Sequence, residues 1–229
     1  MEEVKKLNIL IIGGGGREHA LAWKLRQSPK LTKLYCAPGN GGTAGIATNL
    51  PVKPADIPAL IAAAKEHKID LTVVGPETPL AEGVVDAFRK AHLPIFGPSK
   101  AAAALESSKV FCKRLMLKYG IPTASAEVFD SYEKARSYIT SRKPPLVVKA
   151  DGLAAGKGVV VARTQEEALE ALHDMMVKKV FGEAGSQVLV EECLVGLEAS
   201  LLVFTDGERV VPMVPACDYK RVNDGDQGP

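Results

Sequence analysis

Residues 8 to 13, Asn-Ile-Leu-Ile-Ile-Gly, run directly into three more glycines, and this junction limits the fold more than any other stretch of the chain. A nearly unbroken apolar run, without polar alternation, suits a strand covered on both faces, as in a parallel sheet flanked by helices. A helical pattern follows from Glu18 to Arg26, with Ala20, Leu21, Trp23, Lys24 and Leu25 at helical spacing and Ser28-Pro29 closing it. The alternation then repeats. Lys33 to Ala37 reads as a strand, Asp56 to His67 as an alanine-rich helix, Leu71 to Gly75 as a strand, Leu80 to Ala91 as a helix and Ile95 to Gly97 as a short strand. Strands alternating with helices imply right-handed crossovers, so residues 1–98 are expected to form a Rossmann-like, doubly wound parallel sheet.

The turn Gly13-Gly14-Gly15-Gly16-Arg17-Glu18-His19 must first be tested as a dinucleotide fingerprint. It fails at the third glycine, where Glu18 stands, and the second strand ends in Ala37-Pro38-Gly39-Asn40 without an acid for a ribose. An anion site remains open, since backbone N–H groups and the positive end of a helix dipole meet there and Arg17 can add a fork. A tight turn with a surface Arg-Glu pair is the bland alternative. Asn40 and Glu77 lie in the loops after the second and third strands, at the sheet end where ligands of open α/β folds bind. Either can hold hydroxyls or an amine, and Glu77 can equally serve the N-terminus of the next helix.

Residues 99–121 read as a linker of two short helices, the second capped by Ser107 or Ser108. Lys109 lies at its start, against the dipole, which points to a ligand role, with an ordinary solvated surface lysine as the alternative. An extended segment begins at Ile121-Pro122, Tyr132 to Thr140 reads as a helix, and Gln165 to Lys178 as another. Between them Pro145 to Arg163 forms two apolar runs around Lys149, Gly152, Gly156, Lys157 and Gly158. Small residues let backbone N–H groups approach a polyphosphate, with the lysines sharing its charge; an idle glycine-rich hairpin is the alternative. The spacing is not that of a P-loop. Residues 122–187 are thus a small α/β module. From Val188 onward, runs at 188–194, 199–204 and 208–215 read as an antiparallel meander carrying Glu191, Glu192 and Glu198, suited either to adenine and ribose or to solvent.

Bulk properties exclude several classes. The 229 residues carry a net charge of +2, too little for a general nucleic-acid or membrane field. No run is long and apolar enough for a signal or a membrane span. The four cysteines, Cys36, Cys112, Cys193 and Cys217, make no C-x-x-C pair, so scattered thiols in a cytoplasmic protein are expected. His19, His67, His92 and His173 form no metal pattern.

Taken together, GGREH at Gly15, PGN at Pro38, GPE at Gly75, VVKADGLAAGKGV at Val147, EECLVGLEAS at Glu191 and DYKR at Asp218 resemble the phosphoribosylamine–glycine ligase family of purine biosynthesis. The family belongs to the ATP-grasp ligases. The resemblance runs in order from Ile9 to the last residue. It implies ATP held between a lid, residues 122–187, and a core beginning at residues 188–229. By the same resemblance Lys109 and Lys149 contact phosphates and Gly152, Gly156, Lys157 and Gly158 close over them. Glu191, Glu192 and the backbone near Leu194 meet adenine, and Glu198 the ribose. Gly14, Gly15, Gly16, Arg17, Glu18, His19, Asn40, Glu77, Asp218, Lys220 and Arg221 belong to the phosphoribosylamine site, with Lys149 and Arg221 catalytic.

The implied reaction joins glycine to phosphoribosylamine through glycyl phosphate, releasing ADP and phosphate. Mg²⁺ or Mn²⁺ assists in the family, but the segment carrying its ligands has no match before Pro229, so an N-terminal part of the enzyme, inactive alone, is expected. Other ATP-grasp ligases or carboxylases and a non-catalytic nucleotide-binding module are the alternatives, with a Rossmann dehydrogenase third.

Overall fold

A computed structural model of the chain describes residues 6–154, 157–217 and 222–224. It divides at Glu192 into two units. In the first, β1 (Leu7–Gly13) lies at the centre of a parallel sheet, paired with β2 (Leu31–Pro38) on one side and β4 (Leu71–Val74) on the other. A short strand missed by the sequence reading, β3 (Thr48–Asn49), and β5 (Ile95–Phe96) form the edges, giving the order β3-β2-β1-β4-β5. The apolar run of β1 serves both faces, as its composition demands. Leu10 and Ile12 join a core with Leu60, Val84, Val85 and Phe88, whereas Ile9 and Ile11 pack with Ala22, Leu34 and Cys36.

The helices differ from expectation in two ways. α1 starts earlier than Glu18, spanning Gly16–Arg26, and buries only Glu18 and Ala22, one turn apart on the side facing the sheet. Trp23 is 60% exposed, so its spacing did not mark a core position. After α2 (Ile57–Glu66), the helix expected from Leu80 to Ala91 is two helices, α3 (Glu77–Glu82) and α4 (Val84–Lys90). Gly83 separates them with φ +96°, a left-handed conformation that ends the first helix where any side chain would be strained.

α5 (Lys100–Ser107) and α6 (Lys109–Lys118) follow. Ser108 caps α6, its Oγ accepting from the Phe111 amide at 3.0 Å, which decides between the two candidate caps. The next sheet is antiparallel, of order β6-β9-β7-β8, built from β6 (Ala126–Phe129), β7 (Leu146–Ala150), β8 (Val159–Ala162) and β9 (Val188–Glu192). α7 (Tyr132–Thr140) and α8 (Gln165–Met176) cover one face through Ile139, Leu172 and Met175, packed on Leu146, Val148, Val188 and Val190. β9 lies inside this sheet, between β6 and β7, so the division expected at residues 187 and 188 cuts through it. The reason is periodicity: Val188 and Val190 complete the core shared with β7.

The second unit, from Cys193, holds a hairpin of β11 (Val203–Thr205) with β12 (Val210–Pro212), prolonged by β10 (Ala199–Ser200) with β13 (Ala216–Cys217). A three-stranded meander including residues 188–194 is therefore not what forms. The Asp206 carboxylate accepts from the amides of Glu208 and Arg209 and shapes the turn, which holds its pKa below the usual aspartate value.

Candidate functional site

The glycine turn after β1 is organised by Glu18. Its Oε2 accepts from the Gly15 amide at 2.6 Å, and the residue is 3% exposed. In a parallel sheet of this order, the strands added after β1 go first to one side (β2, β3) and then to the other (β4, β5), and the crevice between β1 and β4 is where ligands of open α/β folds bind. Here it holds the Glu18 side chain: a Cβ on Gly13 or Gly75 would lie 2.6 and 2.1 Å from Glu18 atoms. The dipole of α1 is thus met by a buried internal carboxylate. His19 lies against Gly42, where a Cβ would come within 2.2 Å of its ring.

Asn40 is also committed to the protein. Its Nδ2 donates to the Gly14 carbonyl at 3.0 Å and its Oδ1 accepts from the amides of Gly42 and Thr43. The side chain ties the β2 loop to the glycine turn. Arg17 and Glu77 meet as a fork, Nη1 to Oε1 at 2.7 Å and Nη2 to Oε2 at 3.2 Å. The hydrogen bond from Arg17 holds the Glu77 carboxyl below its usual range, and the same bond raises the Arg17 value. Gly14, Gly15 and Gly16 are accessible beside this pair, as Arg17 is.

A second constellation forms where β7 meets α6. The Asp151 Oδ1 accepts from the Val110 amide at 3.1 Å and its Oδ2 from the Ser108 hydroxyl at 3.2 Å. Lys109 Nζ donates to the Gly152 carbonyl, so the turn after β7 is latched to the start of α6. Burial lowers the Lys109 pKa, helped by the nearby charge of Lys149 and opposed by Asp151 and Glu106. Gly152 has φ +89°, and a Cβ on Gly158 would lie 2.6 Å from that of Ala154; both glycines are required by the tight path of the turn.

The sheet face opposite α7 and α8 carries the charges. The registers put Val147 and Lys149 of β7 beside Val161 and Val159 of β8 and beside Glu191 and Leu189 of β9. Glu191 is 5% exposed and bridges two lysines, Lys149 at 2.6 Å from Oε2 and Lys113 at 3.0 Å from Oε1. Its neighbour Glu192 points to the other side and accepts from the Ser125 amide at 2.7 Å. Glu191 and Glu192 thus serve opposite faces of the sheet, and in the second unit Glu198 and Leu194 are exposed, with the Glu198 carbonyl accepting from the Cys217 thiol. Lys157 is exposed. Gly156, Asp218, Lys220 and Arg221 lie outside the described residues.

Lys113 and Asp151 escaped the sequence reading. Asp151 follows directly on Lys149-Ala150, and Lys113 lies one helical turn after Lys109, a spacing that marks a shared helix face. Among the described residues no group of three or more His, Cys, Asp or Glu is placed to hold a metal ion. No helix among them is long and apolar enough to cross a membrane.

A parallel sheet joined to an antiparallel one, with lysines converging on a glycine turn, defines an α/β protein of ATP-grasp architecture. A similar fold is found in the crystal structure of a Thermotoga maritima phosphoribosylamine–glycine ligase, with TM-score 0.80 and 34% identity over 97% of this chain and 53% of that one. Residues 7–106 match the phosphoribosylglycinamide synthetase N domain and residues 107–229 its ATP-grasp (A) domain; the chain belongs to the phosphoribosylglycinamide synthetase family. It is 54% identical over 223 residues to a phosphoribosylamine–glycine ligase of Halalkalibacterium halodurans and 55% over 225 residues to one of Yersinia pestis. In both cases 97% of this chain is covered, and the chain spans about half the length of these relatives, 52% and 53%.

Proposed function

We propose that this chain binds ATP on the β7–β8–β9 face and takes part in joining glycine to phosphoribosylamine, giving glycinamide ribonucleotide, ADP and phosphate. The observation that carries this reading is the convergence of Lys109, Lys149, Gly152 and Gly158 beside an accessible apolar strip, Val159 and Val161, 43% and 52% exposed. Phosphates go to the lysines and turn, and a purine ring lies on the valines with its amino group toward Glu191. Phosphate oxygens replace two internal acceptors, the Gly152 carbonyl for Lys109 and the Glu191 carboxylate for Lys149.

The chemistry follows from what a carboxylate lacks. Glycine has no leaving group until its carboxylate takes a phosphoryl group from ATP, and the resulting glycyl phosphate must meet the amine before water does. Lysine ammonium groups offset the charge on the transferred phosphoryl group. Phosphoribosylamine is assigned to the Gly14–Arg17 turn, where Arg17 has donors left for a phosphate after Glu77 is served. Glu18, His19 and Asn40 support that turn, and Glu77 faces the ligand as the partner of Arg17. By family resemblance Arg221, Asp218 and Lys220 are assigned to phosphoribosylamine, and Glu192, Leu194 and Glu198 to the nucleoside. The family's Mg²⁺ or Mn²⁺ does not fit the described residues, which offer no cluster of ligands, and no step is drawn through it. The four free thiols agree with a cytoplasmic setting.

Calorimetry of the chain with ATP tests the reading. Lys149→Ala is expected to weaken ATP by roughly 10- to 100-fold, as loss of a charged hydrogen bond does. Equal affinity in the variant and the unmodified chain would sink the phosphate assignment. ATP binding that neither glycine nor a phosphoribosyl amine analogue alters would favour a nucleotide-binding module.

A further inference from the structure

Lys113 has no place in the binding face described above, yet it is built into it from below. The residue is 4% exposed, and its ammonium group has three acceptors: Thr123 Oγ1 at 2.6 Å, the Ala124 carbonyl at 2.8 Å and Glu191 Oε1 at 3.0 Å. An ammonium group donates three bonds, so Lys113 is fully committed. Lys149 contrasts with it. Its side chain is 28% exposed and holds the opposite oxygen of the same carboxylate, Oε2, at 2.6 Å.

One buried carboxylate therefore holds a fixed cation on one oxygen and a releasable cation on the other. From this asymmetry, and resting on the ATP reading above, we infer that Lys113 is a positioning residue for the nucleotide. It keeps a counter-charge on Glu191 and holds the carboxylate in place when Lys149 leaves for the phosphates, so that Oε2 becomes the acceptor for the exocyclic amino group of the purine. Without Lys113, departure of Lys149 strands a buried carboxylate with no counter-charge, which is strongly unfavourable. Lys149 then stays on Glu191, and both phosphate binding and base selection suffer.

The test compares ATP with ITP, which carries a 6-oxo group in place of the 6-amino group, by titration calorimetry on the chain and its Lys113→Met and Thr123→Val variants. Circular dichroism melts check folding. The unmodified chain binds ATP in preference to ITP. In Lys113→Met both nucleotides weaken and the ATP-to-ITP preference falls about tenfold, a change of about 1.4 kcal/mol in discrimination. Thr123→Val removes one anchor of Lys113, leaves the ion pair, and lowers the preference about threefold. A purely structural role for Lys113 weakens both nucleotides equally. Overturning results are an unchanged preference in folded Lys113→Met, an unchanged preference in Thr123→Val if Lys113→Met does not fold, or no preference in the unmodified chain. Failure of the unmodified chain to bind ATP overturns the nucleotide reading and this inference with it, whereas ATP binding that depends on Lys149 with an unchanged preference in Lys113→Met overturns this inference alone.

Discussion

The carboxylate of Asp151 accepts a hydrogen bond from the amide of Val110, 41 residues earlier, at 3.1 Å. A residue of the turn after β7 thus acts as an N-terminal partner for α6, adding a negative charge at the positive end of the helix dipole. Asp151→Ala is expected to destabilise the chain by ~1–2 kcal/mol, the usual loss for a helix-capping contact. Urea denaturation measures this. Asp151→Asn, which keeps an acceptor, should recover about half of it. A loss no larger than that of an exposed control such as Glu166→Ala would show that the latch contributes nothing.

Arg17 and Glu77 give a prediction in pH. The carboxyl of Glu77 is held below the ordinary glutamate range by its hydrogen bonds from Arg17, and the side chains are 65% and 41% exposed. The pair's stabilisation is present above the unfolded pKa of about 4.3 and is lost as pH falls through the depressed folded value. Solvent screening keeps it small, ~0–1 kcal/mol. Carbon-detected NMR titration of the Glu77 carboxyl should show a midpoint below that of exposed glutamates, moving up in Arg17→Ala.

Gly75 has a steric reason tied to one residue. A Cβ there would fall 2.1 Å from Glu18 Oε1, so Gly75→Ala should cost ~1–3 kcal/mol through overpacking. In a Glu18→Ala background the same substitution should cost much less. The double-mutant cycle reads this directly, and additivity of the two effects would count against the packing of Glu18 in the crevice.

The cysteines should separate by reactivity. Burial pushes the Cys36 thiol up to about 11, whereas Cys217 is exposed. At pH 7.5 iodoacetamide should label Cys217 within minutes and leave Cys36 unlabelled until the chain is denatured. Because the folded value is raised, stability contributed by neutral Cys36 is complete below the unfolded thiol value of about 8.5 and declines as pH rises above it. Peptide mass spectrometry checks the first statement, and melting between pH 8 and 10 the second.

Much of this protein is legible one residue at a time, and the places where it is not share a cause. The βα alternation of the first sheet shows in the sequence because each strand serves two covered faces and each helix one, so the periods differ. Trp23 misled because helical spacing reports which residues share a face, whereas coverage of that face is a tertiary matter: α1 buries Glu18 and Ala22 and leaves the indole 60% exposed. β9 was placed with the wrong sheet because an apolar strand carries no label for its partner. Antiparallel pairing with β6 and β7 is set by the valines that complete a shared core.

The site divides in the same way. The glycines, Lys109, Lys149 and Glu191 stand out in the sequence because phosphate and carboxylate chemistry needs those residue types in loops and at strand ends. That Lys113 and Asp151 belong with them was decided only in three dimensions. Lys113 and Glu191 are 78 positions apart in the sequence, and only the packing of α6 against the sheet brings the ammonium within 3.0 Å of the carboxylate. Residue type fixed which groups can carry charge. Burial and pairing decided which of those charges are already spent on the fold and which remain for a ligand.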